Sequence, residues 1–268
     1  MRMTPVERAQ SLPSLAPASI IAVASGKGGV GKTWFSVTLA HALGIRGRRA
    51  LLFDADMGLA NVDVQLGLMP ERDITRAVID GLPLREAVSR APGGRFDVIA
   101  GRSGSGAMSQ LGPAQLDRLA RRLVELAPAY DTVVLDLGAG VEAPVLRMAG
   151  AAGRCMVIVT DEPTSLTDGY AFIKVARARF PQLSFEIVVN MAESVREGQR
   201  SYGAMKRACE SFLKFTPPLA GIVRRDPKVK DSIRRQTPTL TCHPGSPACA
   251  DVEAIAAAIA AAGGRAGG

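Results

Sequence analysis

Seven short apolar runs, rich in Val, Ile and Leu, set the strongest limit on what this chain folds into. They lie at residues 20–24, 50–54, 96–100, 132–136, 156–160, 185–189 and 219–223. Apolar and polar residues alternate little within them, which is typical of strands buried on both faces of a parallel sheet. The segments between the runs are long enough for crossover helices, and residues 33–44 and 114–127 show helical spacing of apolar residues. The pattern predicts an α/β fold, a single doubly wound and mostly parallel sheet flanked by helices, with ligands at the carboxyl ends of the strands.

Length and composition indicate one domain with two short ends. The chain has 268 residues, of which 47% are hydrophobic, and this is enough for one sizeable core. We find no run of about eighteen apolar residues and no signal-peptide pattern at the start. The cysteines show no disulfide or metal-site spacing, which favours reduced thiols and a cytoplasmic chain. We expect an N-terminal arm at 1–19, one domain at 20–262 that includes a C-terminal helix, and a disordered tail at 263–268.

The chain is basic, with a formal net charge of +8. Much of the excess lies at residues 224–235, which hold six basic and two acidic residues. Such a segment is either a solvated surface or a binding surface for an anionic partner such as nucleic acid. The sequence leaves both interpretations open.

Residues 26–33, GKGGVGKT, match the phosphate-binding pattern G-x-x-x-x-G-K-[ST]. They follow an apolar run directly and precede a helical pattern, which is the context that this motif requires. Glycines allow successive backbone N–H groups to face phosphate oxygens, and the helix start adds the positive end of its dipole. Lys32 should contact the β- and γ-phosphates, and the Thr33 hydroxyl should bind Mg²⁺. The predicted nucleotide-binding residues of the loop are Gly28, Gly29, Val30, Gly31, Lys32, Thr33 and Trp34.

Polar residues end three of the apolar runs. Asp54 and Asp56 close the second run, and Asp136 closes the fourth. Carboxylates at strand ends beside a phosphate loop can position water or a hydrated metal ion, although aspartates in such places also cap helices and turns. Asn190 follows the sixth run, where its amide can pair with an adenine edge or serve in a turn.

The stretch from Lys27 to Thr33 resembles the deviant Walker A motif, K-G-G-x-G-K-[ST], of the MinD/ParA (SIMIBI) type of P-loop ATPases. The resemblance implies an ATP-dependent homodimer with two ATP molecules between facing subunits. In such a dimer Lys27 reaches the partner's nucleotide and neutralises charge that develops on the transferred phosphoryl group. By the same resemblance Asn190 reads adenine, so the nucleotide is ATP.

Two further segments look like the switches of this family. Residues 54–63 resemble switch I, which implies that Asp56 holds the attacking water and that Asp54 supports the Mg²⁺ shell. Residues 136–140 resemble the Walker B and switch II segment. There the resemblance implies that Asp136 holds Mg²⁺ through a water and that the Gly140 N–H senses the γ-phosphate.

Four segments together look like the FlhG/FleN branch of the family, whose members are MinD-like ATPases that regulate flagellar number and placement. They are residues 54–68, 136–142, 162–175 and 226–238. The branch implies slow, regulated ATP hydrolysis. It also implies partners among the flagellar GTPase FlhF, flagellar switch or C-ring proteins, and a flagellar transcription regulator. The alternative is a ParA-type partition or positioning ATPase that binds DNA non-specifically. A small-molecule enzyme on the same fold is a further alternative, and Lys27 and the family segments argue against it.

Both ends of the chain depart from the family pattern. The arm keeps Ala9 and Leu12 of an activator helix that stimulates FlhF, but Arg8 and Pro13 replace its Gln and Arg, so an activator and a disordered arm both remain open. The family's basic, membrane-binding C-terminal helix is replaced at residues 250–264 by an alanine-rich segment with one apolar stripe. Such a stripe either docks on its own domain or binds the inner face of the cell membrane or the pole.

Overall fold

The computed structural model describes residues 17, 19–56, 61–69, 74–79, 81–101 and 111–263. The predicted activator motif in the arm lies outside the described residues. The predicted tail lies outside them as well, except for Gly263, which ends the last helix.

A single sheet forms the centre of the described structure, with its strands in the order β3-β4-β2-β5-β1-β6-β7-β8. The strands are β1 (Ile20–Ser25), β2 (Ala50–Ala55), β3 (Ser89–Arg90), β4 (Asp97–Ile99), β5 (Thr132–Ala139), β6 (Arg154–Val159), β7 (Ser184–Ala192) and β8 (Leu219–Arg224). The β3–β4 pair is antiparallel, and the other described pairs are parallel. The predicted doubly wound, mostly parallel sheet is confirmed. The edge strand β3 was not predicted, because two residues carry no readable pattern.

Helices cover both faces of the sheet. The described α-helices are α1 (Lys32–Ile45), α2 (Val62–Leu66), α3 (Ile74–Ile79), α4 (Pro113–Leu126), α5 (Ala143–Ala149), α6 (Pro163–Arg179), α7 (Val195–Leu213), α8 (Pro227–Arg234), α9 (Thr239–Cys242) and α10 (Pro247–Gly263). Several begin with proline, whose fixed φ suits the first helical position and whose missing N–H costs nothing there. Asp226 caps α8 by accepting a 2.9 Å hydrogen bond from the Lys228 N–H. The helices predicted at 33–44 and 114–127 are confirmed to within one residue at each end.

The core is divided by the sheet into two apolar layers. Along β1, Ile20 and Ala22 pack into one layer, while Ile21 and Val23 pack into the other. Because successive strand side chains point to opposite faces, both faces of this strand must be apolar. This explains why the sequence runs show no alternation.

The C-terminal helix α10 docks on its own domain. Val252, Ile255 and Ile259 are buried in the layer that also contains α1. Ile255 lies so close to β8 that a Cβ atom on Gly221 would stand 2.6 Å from it. The apolar stripe predicted in this segment is therefore covered by the domain itself. Among the described helices, none combines the length and apolar content needed to cross a membrane.

An ion pair fixes the start of α10 to the end of β8. The Arg224 guanidinium donates to both carboxylate oxygens of Asp251, at 2.8 and 2.9 Å, and the Arg224 N–H donates to the same carboxylate at 2.9 Å. The Ser246 hydroxyl donates a 2.6 Å hydrogen bond to Asp226, which joins the loop before α10 to the cap of α8. The docked position of α10 thus rests on both apolar packing and charge-assisted hydrogen bonds.

We predict that Ile255→Ala lowers the free energy of unfolding by about 2–4 kcal/mol, because it removes buried methyl groups and leaves a cavity against Gly221. Urea unfolding followed by circular dichroism measures the loss. Ala258→Ser changes an exposed position of the same helix and is the matched control. A loss no larger than that of the control would show that α10 is not docked as described.

Candidate functional site

The loop between β1 and α1 has a backbone that strongly favours glycine at two positions. Gly29 and Gly31 have φ values of +80° and +82°, in the left-handed region. Gly31 also lacks space for a side chain, because a Cβ atom there would lie 2.4 Å from the Asn190 amide nitrogen. The loop therefore turns sharply and feeds directly into the N-terminus of α1, where free N–H groups favour an anion.

This loop lines a cavity of about 610 Å³, a size typical of small-ligand sites. The cavity lies at the carboxyl ends of the strands, as predicted for this fold class. Predicted site residues on its wall are Lys27, Gly28, Gly29, Val30, Gly31, Lys32, Thr33, Trp34, Asp56 and Asn190. Residues of α2, the end of β8 and α8 also line the cavity.

A buried ion pair joins the loop to the centre of the sheet. The Lys32 ammonium lies 3.1 Å from Oδ1 of Asp136, and both side chains are at most 8% exposed. The Ser36 hydroxyl, one turn along α1, donates to the same oxygen at 3.0 Å. The other oxygen, Oδ2, is buried and has no hydrogen-bond partner among the described residues. The structure thus brings together two residues that lie 104 positions apart in the sequence.

A second buried carboxylate lies beside the first. Asp54 and Asp136 are paired in register on β2 and β5. Burial of Asp54, together with the negative charge of Asp136, raises the pKa of the Asp54 carboxyl to about 8. The Asp54 oxygens also accept hydrogen bonds from the N–H groups of Asp56 (3.1 Å) and Val62 (3.2 Å). Asp54 therefore stabilises the turn that leads into α2, as the alternative interpretation of a capping aspartate predicts. Its support of a metal shell stays a prediction.

The donor set fits a hydrated Mg²⁺ ion. An unpartnered, buried oxygen on Asp136 and a neighbouring carboxylate of raised pKa both indicate missing positive charge at this place. Hydroxyl and carboxylate oxygens are the ligands that Mg²⁺ prefers. Thr33 and Asp136 are the residues that would hold it.

Asp56 lies between the cavity and β5. A Cβ atom on Gly138 would stand 3.4 Å from Oδ1 of Asp56, so the two predicted switch segments are in contact. The Asp56 side chain lines the cavity, as a residue that positions water must. Its role as the holder of the attacking water stays a prediction.

Two predicted nucleotide contacts are engaged in hydrogen bonds within the chain. The Gly140 N–H donates to the Ser25 carbonyl at 2.8 Å, so this bond must break before the N–H can sense a phosphate. The side-chain amide of Asn190 donates to the Val30 carbonyl at 2.8 Å and thereby holds the backbone of the phosphate loop. Adenine reading by Asn190 stays a prediction, because a supporting role accounts for its buried position equally well.

Trp34 turns its ring away from the loop into the core. The side chain is 4% exposed, and Nε1 donates a 2.8 Å hydrogen bond to the Thr239 hydroxyl. A nucleotide contact of Trp34 would therefore come from its backbone N–H at the start of α1, as at other helix N-termini. The sequence pattern could not distinguish these two uses of the residue.

Lys27 lies at the rim of the cavity and is held by the N-terminus of α6. Its ammonium lies 2.5 Å from a carboxylate oxygen of Glu162 and 3.2 Å from the Thr164 hydroxyl. Lys27 lowers the pKa of Glu162 through this hydrogen bond and through its charge. Sequence reasoning missed both partners. The available signals were the family segment at residues 162–175 and, within it, an acid and a hydroxyl at the start of the helix that follows β6.

Comparisons with known proteins agree on one family. Residues 21–239 match the CobQ/CobB/MinD/ParA nucleotide binding domain. The chain is 36% identical over 243 residues to the antiactivator FleN of Pseudomonas aeruginosa, covering 91% of this chain and 86% of the relative. It is 31% identical to the flagellum site-determining protein YlxH of Helicobacter pylori, over 72% of this chain and 65% of the relative. The fold matches the septum site-determining protein MinD of Pyrococcus horikoshii, complexed with Mg-ADP, at a TM-score of 0.76. That match has 21% identity and covers 90% of this chain and 95% of that one.

We predict that Asp54 makes the nucleotide-free and metal-free protein less stable as the pH rises from about 5 to about 8. In this window the folded protein keeps a proton on Asp54, whose pKa is about 8, while the unfolded chain has released it near the ordinary value of 3.8. Asp54→Asn removes the titrating group, so its free energy of unfolding should fall less steeply with pH, by up to about 1 kcal/mol per pH unit. Denaturant unfolding in EDTA at several pH values measures the slopes.

The matched control for this prediction is Asp161→Asn, which removes an exposed carboxyl of the same type. Asp54→Asn also loses one of two backbone hydrogen bonds, but that loss lowers stability similarly at every pH. Parallel pH curves for wild type and Asp54→Asn would contradict the raised pKa.

Proposed function

The chain belongs to the CobQ/CobB/MinD/ParA family of nucleotide-binding domains, and on this premise we propose that it is an ATP-driven dimerisation switch that regulates flagellar number and placement. The observation that carries the proposal is that the two lysines of one loop differ in burial and in their partners. Lys32 is buried at the floor of the cavity against Asp136, whereas Lys27 is a third exposed at the rim and bound to α6. A cation held only by an exposed ion pair can exchange that partner for one outside its own subunit.

The residues of the cavity suit the hydrolysis of ATP to ADP and phosphate. The loop N–H groups and Lys32 bind the β- and γ-phosphates, and Lys32 leaves Asp136 in part to do so. Thr33 and Asp136 would hold Mg²⁺, which would supply positive charge to neutralise the phosphates. Asp56 orients the water that attacks the γ-phosphate, and the adenine lies toward Asn190 and the end of β8.

Dimerisation places Lys27 of each subunit on the nucleotide of the other. There it neutralises the charge that develops on the transferred phosphoryl group, in the manner of an arginine finger supplied in trans. Loss of the γ-phosphate after hydrolysis removes the ligand of Lys27, and the subunits separate. The output of such a switch is the lifetime of the dimer, so turnover is slow until a partner accelerates it.

The flagellar role rests on the relatives. One is named an antiactivator and another a flagellum site-determining protein, and the first aligns over 91% of this chain. These names support a regulatory role in flagellation. The partners that we propose are a flagellar transcription regulator, the flagellar GTPase FlhF, or switch and C-ring proteins. The docked helix α10 offers little to a membrane, so any association with the cell membrane or the pole would depend on its release or on a partner.

We predict that Lys32→Ala weakens ATP binding tenfold or more and abolishes ATP-dependent dimerisation, because a charge-assisted contact to the phosphates is lost. Asp56→Ala should still bind ATP and dimerise but hydrolyse it about 100-fold more slowly. Isothermal titration, analytical ultracentrifugation and phosphate release measure the three properties. Lys174→Ala, at an exposed position of α6, is the matched control. ATP hydrolysis by Asp56→Ala at the wild-type rate would contradict the role of Asp56 in orienting the attacking water.

The flagellar role is tested by counting flagella per cell by electron microscopy in a strain that lacks this chain. We expect excess or misplaced flagella, restored by the wild-type chain but not by Lys32→Ala. An unchanged count in a flagellated host would contradict the flagellar role and leave the ATPase chemistry to be tested separately.

Partition by DNA binding is the second candidate, favoured by the surface of α8. Lys228, Lys230 and Arg234 on α8 are exposed, as is Arg235 just after it. Four exposed cations in one short segment suit the phosphates of a DNA backbone. A DNA mobility shift that needs ATP and weakens with salt would favour this function over the flagellar one.

A further inference from the structure

A second exposed cation lines the nucleotide cavity, at the end of β8. Arg225 follows β8 directly, lines the same cavity as Lys27, and is half exposed. Its guanidinium forms an ion pair with Glu193, in the turn between β7 and α7. Its N–H donates to the Ala192 carbonyl at 2.8 Å, which fixes its backbone to the end of β7.

Two exposed ion pairs among the described residues therefore involve cations of the cavity wall. Lys27 is paired with Glu162, and Arg225 is paired with Glu193. The two carboxylates follow neighbouring strands of the sheet, Glu162 after β6 and Glu193 after β7. After the larger effects of Lys27, the charge of Arg225 also lowers the pKa of the Glu162 carboxyl. Arg225 thus acts on Glu162 while Lys27 is still in place.

Departure of Lys27 would remove one positive charge from the surroundings of Glu162. Glu162 would lose its ammonium partner, and exposed Asp161 lies beside it in the chain. Arg225 lines the same cavity as Lys27, and its positive charge acts to lower the pKa of the Glu162 carboxyl. A guanidinium presents five N–H donors on a planar fork, so it can bridge two carboxylates, which a single ammonium does less well.

We propose that Arg225 is a positioning residue for Lys27, taking over Glu162 when Lys27 leaves for the nucleotide of the partner subunit. The inference rests on the proposed trans role of Lys27. Arg225 does not touch the reacting phosphate. It lowers the free energy needed to break the Lys27–Glu162 ion pair, because Glu162 gains a replacement cation. Glu193, the present partner of Arg225, competes with Glu162 for that cation.

The exchange predicts effects of opposite sign for the two members of one ion pair. Arg225→Gln removes the replacement cation, so the ATP-bound dimer should dissociate more readily. Glu193→Gln frees Arg225 for Glu162, so the dimer should become tighter. Both pairs are exposed, and each change should therefore be roughly two- to fivefold in the dimer dissociation constant. An ion pair that only stabilised the fold would give the same sign for both variants.

Analytical ultracentrifugation with Mg²⁺ and a non-hydrolysable ATP analogue measures these constants. Arg234→Gln removes an exposed arginine of α8 outside the cavity wall and is the matched control. In a Glu162→Gln background, which leaves no charge to be taken over, Arg225→Gln should have no further effect. Equal signs for Arg225→Gln and Glu193→Gln, or an Arg225→Gln effect that persists without Glu162, would overturn the proposal.

A second measurement needs neither nucleotide nor dimer, and so separates this inference from the proposed function. Lys27→Ala imitates the departure of Lys27 in the monomer. The pKa of the Glu162 carboxyl is then measured by NMR, with and without Arg225→Gln, in the wild-type and Lys27→Ala backgrounds. Arg225→Gln should raise this pKa more in the Lys27→Ala background, where Arg225 has taken over. Equal rises in both backgrounds would overturn the exchange even if the ATP-dependent dimer forms as proposed.

Discussion

The buried ion pair between Lys32 and Asp136 is the interaction on which the site depends. It joins the first turn of α1 to the central strand β5, at the floor of the cavity. Both charges are removed from water there, so each needs a partner of opposite charge. That partner is either the other side chain or a ligand group that replaces it. Phosphate oxygens can replace Asp136 as the partner of Lys32, and a metal ion can replace Lys32 as the partner of Asp136. An arrangement of this kind is stable without ligand and is already oriented to receive one.

The two lysines of the loop differ because of what surrounds them. Solvent screens the pair of Lys27 with Glu162, whereas burial makes the pair of Lys32 with Asp136 costly to break without a replacement. A weak, exposed contact suits a residue that must change partners, and a strong, buried one suits a residue that stays with its own nucleotide. The order of the strands creates this difference, because β6 lies next to β1 and brings the start of α6 beside the loop.

The end of β8 connects the site to the last helix. Arg224 clamps Asp251 of α10, while the neighbouring Arg225 stands at the rim of the cavity. The docked helix therefore helps to fix the backbone from which Arg225 extends. In this way the packing of Ile255 against Gly221, remote from any phosphate, contributes to the geometry of the rim.

The sequence by itself determined the sheet class, the phosphate loop and the strand-end aspartates, because each is encoded by a local pattern: apolar runs, glycine spacing, or a polar residue where a run stops. Tertiary structure decided what those residues touch. Glu162 lies 135 positions from Lys27, and only the pairing of β1 with β6 brings them together. The same holds for Asn190 beneath Val30, for Gly140 against Ser25, and for the Trp34 ring against Thr239. A local pattern fixes which chemical group is available, but its partners depend on strand order and packing between distant segments, which no local pattern contains.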